Sequence, residues 1–404
     1  MPTALLFLGK LTVFIIIAPG SPPVYAVLLY TRIRLTSANT NSRRTHLSPP
    51  RISSSSLKES FMPQATTLRL NAFGLDNPSN LSLDPLTLPD PGPHDVLVDL
   101  HAASLNYRDL MVVLGTYNPK MALPRIPGSD AAGIVTAIGS AVTRFKVGDY
   151  VTSLFFQDWL DGPILPTTGK SALGGPIDGV FSTTHLFPET GLIHAPAGYT
   201  HTEAATLPCS ALTAWNALVE TGNLHAGQTV LLLGTGGVSI FALQIAKAHG
   251  ARVLITSSSD EKLARARALG ADEVINYRTT PDWDREVLRL TNNRGVDHIV
   301  EVGGAGTLPL SFKAITPGSH IYVIGVLAGK GQLIDPTSIL AKAIHVDGVY
   351  VGSRAMYQHM IAAIDTNHLH PILDRTFPLT QTREALTHMQ SGNHFGKITL
   401  NLKA

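Results

Sequence analysis

The pattern of hydrophobic and polar positions divides the chain into two parts. Residues 68–198 carry short apolar segments separated by Gly and Pro, and this pattern predicts a compact β-rich domain with clear strands at 96–100 and 134–138. After residue 202, longer helical periods alternate with buried strand-like runs. That alternation is typical of βαβ units, so it predicts a parallel sheet.

The second part has enough strands for a doubly wound sheet. Strands are predicted at 230–233, 253–256, 274–275, 298–302 and 320–324, with helices at 238–249 and 260–269 between the first of them. A helix at 355–364 and a last strand at 397–402 are predicted to return to the first domain. The expected α/β fold therefore has a catalytic domain (62–209 and 351–404) and an inserted dinucleotide-binding domain (210–350).

The first 61 residues form an extension with several open interpretations. Residues 4–18 are an apolar run broken only by Lys10, which is short for a membrane span. The run is either a signal-peptide core, with Val24-Tyr25-Ala26 as the cleavage site, or a weak signal anchor. Residues 36–60 are rich in Ser, Asn, Pro and Arg, a composition typical of a disordered linker. Alternatively the natural start is Met62, where the fold pattern begins, and the protein is then expected to be cytoplasmic.

Composition excludes several functions. The 31 basic and 29 acidic residues give a net charge of +2 with no long run of one sign, so we expect no nucleic-acid partner. Cys209 is the single cysteine, which excludes an intramolecular disulfide and every zinc site built from three or four cysteines.

The strongest local motif lies between a predicted buried strand and a helix. It reads Gly234-Thr-Gly236-Gly237-Val238-Ser239. Glycines at such a turn let the backbone approach a pyrophosphate, which is held by free N–H groups and the dipole at the start of the helix. Ser239 stands where the full pattern has a third glycine, and it is small enough to preserve close packing. A plain Gly-rich β-to-α turn without a ligand is the alternative.

The residues after the second strand of this unit indicate which dinucleotide is bound. An NAD-binding domain places an acid there to hold the ribose hydroxyls. This chain has Ser257, Ser258 and Ser259, with Lys262 nearby. No carboxylate repels a 2′-phosphate, so NADPH is favoured. The alternative is that the serines only cap the helix that starts at 260.

Five motifs in order resemble one enzyme family between about residues 63 and 402. They lie at 105–109 (LNYRD), 127–133 (PGSDAAG), 147–149 (VGD), 212–215 (LTAW) and at the Gly234 turn. The chain thus resembles the zinc-independent branch of the medium-chain dehydrogenases and reductases, which includes quinone oxidoreductases. The resemblance implies a GroES-like catalytic domain, a Rossmann cofactor domain and a homodimer.

Zinc-dependent members of that family hold their metal at positions that this chain has changed. They carry Cys at the position of Asn106, a His-Glu pair at Ser129-Asp130, and Cys at Cys209. One thiolate is too few protein ligands for Zn²⁺, so we expect no metal and read Cys209 as a packing residue.

Without a metal, the reacting oxygen must be polarised by hydrogen-bond donors, which favours hydride addition to an activated C=C bond or a quinone. The spacing of Asn106 and Asp109 is similar to that of zinc-free quinone and enoyl reductases, where this segment borders the nicotinamide. Tyr117 lies eleven residues after Asn106, at the place where enoyl-thioester reductases have a proton-donating Tyr. Tyr117 is alternatively a wall of the pocket.

The resemblance also suggests further contacts. Tyr277 corresponds to a 2′-phosphate contact, and the backbone of Gly325, Val326 and Leu327 is expected to face the nicotinamide amide. Lys397 and Arg354 lie in segments with which the family closes the cleft. The loop at 155–162 is longer than in small quinone reductases, and we expect Phe156 and Trp159 to wall the substrate pocket unless the loop is only a surface excursion.

These observations predict an NADPH-dependent reductase of an apolar, carbonyl-conjugated small molecule. Two rival functions stay open. One is reversible oxidation of a secondary or allylic alcohol with NADP⁺, with Tyr117 or Arg108 polarising the oxygen. The other, of a different class, is a non-catalytic NADPH-binding or lipid-associated protein that keeps the fold.

Overall fold

A computed structural model of the chain describes residues 63–329, 331 and 334–404, together with four residues near the amino terminus. Those four form the short antiparallel strands β1 (Phe7–Leu8) and β2 (Leu11–Thr12). The chain divides into a unit Met1–Lys58 and a unit Glu59–Ala404. Apart from β1 and β2, the predictions for residues 1–62 lie outside the described residues. Among the described residues, no helix is long and apolar enough to cross a membrane.

The larger unit contains fifteen strands among its described residues. They are β3 (Gln64–Leu70), β4 (Leu81–Thr87), β5 (Asp95–Ser104), β6 (Asp130–Ile138), β7 (Tyr150–Ser153), β8 (Thr184–Pro188), β9 (Leu192–His194), β10 (Thr229–Leu232), β11 (Arg252–Ser257), β12 (Glu273–Asn276), β13 (Val296–Glu301), β14 (Ile315–Val323), β15 (His345–Gly348), β16 (Leu373–Pro378) and β17 (Lys397–Asn401).

The same part of the chain forms ten α-helices. They are α1 (Tyr107–Val113), α2 (His201–Ala204), α3 (Leu212–Trp215), α4 (Gly237–Ala248), α5 (Asp260–Ala268), α6 (Trp283–Leu290), α7 (Leu308–Ala314), α8 (Thr337–Lys342), α9 (Arg354–Asn367) and α10 (Thr382–Gln390). Single π-helical segments, Leu207–Ala211 and Asn216–Thr221, flank α3.

Six strands form the predicted parallel sheet in the order β12-β11-β10-β13-β14-β15. All its pairings are parallel, and every residue of β10 and β13 is buried, because helices cover both faces of the sheet. The strand order reverses between β10 and β13. Such a switch point opens a crevice at the carboxyl ends of the two strands, which is where doubly wound sheets bind ligands.

The five strands and two helices predicted at given positions in this sheet are confirmed. The position of the sixth strand was not predicted. The helices predicted at 238–249 and 260–269 correspond to α4 and α5 within one residue at each end. The strand without a predicted position is β15, whose four residues are half-buried or exposed at the edge of the sheet. A polar edge strand lacks the hydrophobic run by which buried strands are recognised.

The other large sheet has seven strands, with the order β16-β17-β5-β6-β7-β9 and β8 also paired to β5. The strands predicted at 96–100 and 134–138 lie within β5 and β6. The last strand, β17, pairs antiparallel with β5, so the chain does return to the first sheet after the cofactor domain, as predicted. The predicted domain boundaries at 209/210 and 350/351 fall in segments that join the two sheets.

Candidate active site

The turn after β10 has the features that a pyrophosphate requires. Gly234 has a φ of +75°, a left-handed conformation that favours glycine, and its N–H donates to Thr256 Oγ1 at 3.2 Å. Helix α4 begins at Gly237, and its N-cap Gly236 provides no side chain to accept from the first N–H groups. Ser239 donates to the carbonyl of Leu233 at 2.8 Å, so its hydroxyl stabilises the turn itself. The helix start therefore presents free N–H donors, which fit a dinucleotide phosphate.

The carboxyl-terminal segment packs against this turn. The N–H of Gly396 donates to the carbonyl of Thr235 at 3.0 Å. A Cβ on Gly237 would lie 2.6 Å from Lys397 Cδ and 2.9 Å from Ser210 Oγ. Glycine is thus required at 237 for close approach, and the phosphate turn is held directly beside Lys397.

The residues expected at the adenosine end of the cofactor lie together at the ends of β11 and β12. Ser257 is buried with its hydroxyl 3.4 Å from Thr235 Oγ1, and its carbonyl accepts from the N–H of Tyr277 at 3.1 Å. The hydroxyl of Ser259 alone caps α5, through the N–H of Lys262. Helix capping therefore does not account for Ser257 and Ser258.

The side chains of Lys262 and Tyr277, near the ends of β11 and β12, have different surroundings. The ammonium of Lys262 donates to the carbonyl of Gly392 at 2.6 Å, which places the cation beside the carboxyl-terminal segment. Burial lowers the pKa of Lys262. The ring of Tyr277 is exposed. Lys262 lies in the helix that follows β11, and Tyr277 directly follows β12, the parallel neighbour of β11.

The expected nicotinamide contacts follow β14. A Cβ on Gly325 would lie 2.6 Å from the carbonyl oxygen of Val302, so only glycine lets the backbone pass beside β13. The next residues, Val326 and Leu327, are exposed, and the N–H of Leu327 donates to the Val302 carbonyl at 3.1 Å. The structure thus presents the Val326 and Leu327 side chains at the carboxyl edge of the sheet.

Lys397 lies at the centre of a buried polar network. Its side chain comes from β17, and the residue is only 2% exposed. The ammonium donates to the carbonyl of Leu105 at 2.6 Å, to Asn106 Oδ1 at 2.7 Å and to Ser210 Oγ at 3.2 Å. Lys397 was expected as a cofactor contact, and the structure turns its ammonium toward Asn106 while its aliphatic stem lies against Gly237.

The positions that hold metal in zinc-dependent relatives are joined in the same network. Asn106 Nδ2 approaches Ser129 Oγ at 3.4 Å, and Ser129 donates to Asp130 Oδ1 at 2.6 Å. The second oxygen of Asp130 accepts from the N–H of Cys209 at 3.1 Å. Burial raises the pKa of Asp130, and the Lys397 cation opposes that shift. Among the described residues, no group of three or more His, Cys, Asp or Glu is arranged to hold a metal ion.

Cys209 and Asp109 are neighbours of this network with distinct environments. Burial raises the pKa of the Cys209 thiol, and the nearby Asp130 carboxylate adds to the shift. Asp109 Oδ2 accepts from the N–H of Asn106 at 2.8 Å, which closes the first turn of α1. Burial raises the pKa of Asp109 to about 6, and the neighbouring Arg108 opposes that rise. Asp109 therefore holds the backbone of Asn106 through this hydrogen bond.

Tyr117 meets a second phenol that the sequence did not single out. Its hydroxyl lies 2.7 Å from the hydroxyl of Tyr350, in the segment between β15 and α9. The guanidinium of Arg108 lies 5.8 Å from the centre of the Tyr117 ring and 4.6 Å from that of Phe155. Tyr117 is thus flanked by a hydrogen-bonding partner and a cation.

Phe156 and Trp159 form an aromatic layer behind Tyr350. The Phe156 ring contacts the rings of Tyr350 and Trp159 edge-on, with centroid distances of 4.9 and 5.7 Å. Both residues are buried, so they pack behind Tyr350 and are not a solvent-facing surface. The N–H of Arg354, at the start of α9, donates to the Trp159 carbonyl at 3.0 Å. The long loop is therefore anchored to α9 and is not a loose excursion.

Sequence reasoning missed Ser210 and Tyr350 as members of the site. Ser210 adjoins Cys209, and its hydroxyl donates to Asn106 Oδ1 at 3.1 Å. A polar residue inside the apolar stretch 204–218 was the available signal. The signal for Tyr350 was weaker, because an aromatic residue between a strand and a helix is common in any protein.

Comparison with known proteins identifies the family. Residues 92–197 match the alcohol dehydrogenase GroES-like domain, and residues 237–366 match the zinc-binding dehydrogenase domain. The first match contains β5 to β9 of the seven-stranded sheet, and the second contains β11 to β15 of the parallel sheet. The chain belongs to the medium-chain dehydrogenase/reductase superfamily.

Relatives of this superfamily align over almost their whole length. A zinc-type alcohol dehydrogenase-like protein of Schizosaccharomyces pombe is 44% identical over 316 residues, which is 77% of this chain and 91% of that protein. Rat (Rattus norvegicus) quinone oxidoreductase is 30% identical and aligns with 83% of this chain and 97% of its own length. A crystal structure from Sinorhizobium meliloti 1021, described as an alcohol dehydrogenase, superposes with a TM-score of 0.78 at 42% identity, covering 84% of this chain and 99% of that one.

This medium-chain dehydrogenase/reductase is therefore an oxidoreductase with a GroES-like domain and a Rossmann-type domain, and its fold implies a nicotinamide dinucleotide cofactor. The free N–H groups at the start of α4, described above, fit that group. When bound, that cofactor would exchange a hydride with the substrate.

Proposed function

We propose that this chain is an NADPH-dependent reductase that transfers hydride to a C=C bond conjugated to a carbonyl, or to a quinone, without catalytic zinc. The proposal depends most on Lys397, whose buried ammonium is hydrogen-bonded to Asn106 and Ser210 among the positions that hold zinc in related enzymes. A cation fixed there disfavours a second cation by Coulomb repulsion. Of the four metal-holding positions, only Asp130 and Cys209 keep side chains that bind zinc.

The preference for NADPH is inferred from the end of β11. Ser257 and Ser258 stand where an acid would hold the ribose hydroxyls of NAD, and Lys262 adds a positive charge nearby. Neither serine hydroxyl is used to cap α5. The Ser257 hydroxyl has Thr235 Oγ1 at 3.4 Å as its partner, beside the phosphate turn, and we propose that this end of β11 receives the 2′-phosphate.

The chain's own residues supply orientation and a proton. The Lys397 ammonium holds the Asn106 side chain, and Asp109 holds its backbone. In this proposal Tyr117 donates a proton to the carbon beside the carbonyl after hydride reaches the other carbon of the double bond. For a quinone, the same proton goes to the oxygen that takes up charge.

One experiment separates this function from the two rivals. Purified protein is incubated with NADPH and an acceptor that carries both a conjugated C=C bond and a ketone, and the product is analysed by mass spectrometry and NMR. The proposal predicts a saturated ketone. An allylic alcohol would instead favour the carbonyl reductase, a function consistent with the alcohol dehydrogenase descriptions of two relatives. Binding of NADPH without oxidation by any acceptor would favour the non-catalytic protein.

The expected partners follow from the same proposal. We infer a small-molecule substrate, no nucleic acid, and a homodimer of the kind that the family forms. Membrane association is proposed only for a form of the protein that retains the apolar segment 4–18. Light scattering of the full chain at several concentrations tests the dimer.

A further inference from the structure

Two tyrosine hydroxyls meet at the edge of the candidate active site. Tyr117 follows α1 of the catalytic domain, and Tyr350 lies two residues after the end of β15. Their oxygens are 2.7 Å apart, within hydrogen-bonding distance. The proposed function uses only one of these phenols, so the second hydroxyl has no role in it.

Both residues are also partly open to solvent. Tyr117 is 38% exposed and Tyr350 is 39% exposed. In a hydrogen-bonded pair of which each member reaches water, a proton that Tyr350 takes from solvent can pass to Tyr117. Buried tyrosines elsewhere in the cofactor domain, such as Tyr322, lack that access.

The surroundings fix the geometry of the pair. The edge contacts of Phe155 and Phe156 hold the Tyr350 ring, with centroid distances of 6.0 and 4.9 Å. Two aromatic contacts leave the ring little freedom to rotate away from Tyr117. The hydroxyl–hydroxyl contact is thus imposed by packing.

Arg108 provides the charge that such a relay needs. Its side chain is 10% exposed, and one of its nitrogens donates to the carbonyl of Leu173 at 2.5 Å. The guanidinium faces the Tyr117 ring at 5.8 Å. Burial and the Tyr117 hydrogen bond raise the pKa of Tyr350, and Arg108 opposes that rise. Arg108 and the hydroxyl of the partner phenol thus favour a transient phenolate in the pair, while burial opposes it.

We propose that Tyr350 is a positioning residue that orients the Tyr117 hydroxyl and returns a proton to it after each turnover. The inference rests on the proposed function, in which Tyr117 donates to the substrate. Arg108 stabilises the Tyr117 phenolate, which exists after Tyr117 has given up its proton and before Tyr350 returns one.

Each turnover adds one hydride and one proton to the double bond. A bound reduced nicotinamide would supply the hydride by breaking its own C–H bond, so that a C–H bond forms at the carbon farther from the carbonyl and the displaced π electrons leave an enolate. The Tyr117 O–H bond breaks, and its proton forms the second C–H bond at the carbon beside the carbonyl. The Tyr117 phenolate takes the proton of Tyr350, and Tyr350 takes one from water. No additional oxidant or reductant is needed.

Kinetics of matched variants test the relay. For Tyr350→Phe we expect kcat to fall about tenfold, with an unchanged KM for NADPH and a larger solvent deuterium isotope effect, because proton return becomes rate-limiting. The double variant Tyr117→Phe/Tyr350→Phe should be no slower than Tyr117→Phe, since Tyr350 acts only through Tyr117. Tyr150→Phe is the control, because its buried hydroxyl has no hydrogen-bond partner. It should behave like the wild type.

A second measurement does not depend on turnover. With tyrosine labelled at the ring carbon that bears the hydroxyl, the NMR signal of Tyr117 should move in Tyr350→Phe, because its hydroxyl loses the partner at 2.7 Å. The same signal should stay in place in the Tyr150→Phe control, whose hydroxyl has no hydrogen-bond partner.

The outcomes separate the relay from the proposed function. An active enzyme in which Tyr350→Phe keeps wild-type kcat and isotope effect would overturn the relay alone, as would a Tyr117 NMR signal that does not move in Tyr350→Phe. Additive losses in the double variant would show that Tyr350 acts separately from Tyr117, which also contradicts it. A wild-type protein inactive on every enone and quinone would overturn the proposed function, and the relay with it.

Discussion

The ammonium of Lys397 lies 2.7 Å from Asn106 Oδ1, and this contact joins β17 to the N-cap of α1. The two residues are 291 positions apart. Lys397 also touches the phosphate turn at Gly237. One side chain therefore links the expected cofactor position to the expected reaction centre.

Replacing Lys397 should disturb both stability and activity. In Lys397→Met, Asn106 Oδ1, Ser210 Oγ and the Leu105 carbonyl lose a buried donor, so we expect a loss of about 2 kcal/mol in the free energy of unfolding. Turnover should fall as well, because Asn106 is no longer held. Denaturant unfolding and steady-state kinetics check both. Lys403→Met, which removes an exposed ion pair with Asp99, is the matched control and should cost less than about 1 kcal/mol.

Cofactor preference should respond to one substitution at the end of β11. Ser257→Asp introduces a carboxylate that repels a 2′-phosphate and can accept from ribose hydroxyls. We expect the Kd for NADPH to rise roughly 10- to 100-fold, while that for NADH stays equal or falls. Isothermal titration calorimetry measures both constants. Tighter binding of NADH than of NADPH by the wild type would contradict the proposed preference for NADPH.

Tyr117→Phe tests the proposed proton donor. Loss of the hydroxyl should lower kcat by at least about 100-fold, since that is the usual contribution of general acid catalysis. Affinity for NADPH should change little, because the phosphate turn is untouched. Unchanged turnover would reduce Tyr117 to a wall of the pocket.

Stability should depend on pH through Asp109. Burial raises the pKa of this carboxyl from 3.8 to about 6 in the folded protein. Between these values the unfolded chain loses its proton first, so the contribution of Asp109 to stability falls as the pH rises. Asp109→Asn removes this dependence while keeping an acceptor for the Asn106 N–H. Relative to the wild type, the variant should gain about 2 kcal/mol between about pH 4 and about pH 7. The assignment would be refuted if the wild type and Asp109→Asn differed in unfolding free energy by the same amount at both pH values.

The parallel sheet and the phosphate turn could be predicted because their signals are local. Buried strands such as β10 are continuous apolar runs, and the turn at Gly234 needs residues without side chains. The strand β15 could not be located because it is short, polar and at an edge. Its position depends on pairing with β14, which is a tertiary contact.

Several residues of the candidate site could be predicted from the sequence, but the contacts that join them could not. Asn106, Asp109 and Tyr117 were named from spacing, and the structure joins the first two by a buried hydrogen bond at the start of α1. The orientation of Lys397 depends on partners at 105, 106 and 210, and the partner of Tyr117 is 233 residues away. Contacts over such separations follow from tertiary packing, which one sequence does not reveal.

Hydride transfer without a metal is the central claim, and the most direct measurement is the rate of NADPH oxidation by a conjugated enone before and after exhaustive chelation. The account predicts the same rate in both samples, with only substoichiometric zinc by elemental analysis. One tightly held zinc ion per chain, whose removal abolishes the rate and whose return restores it, would contradict the account.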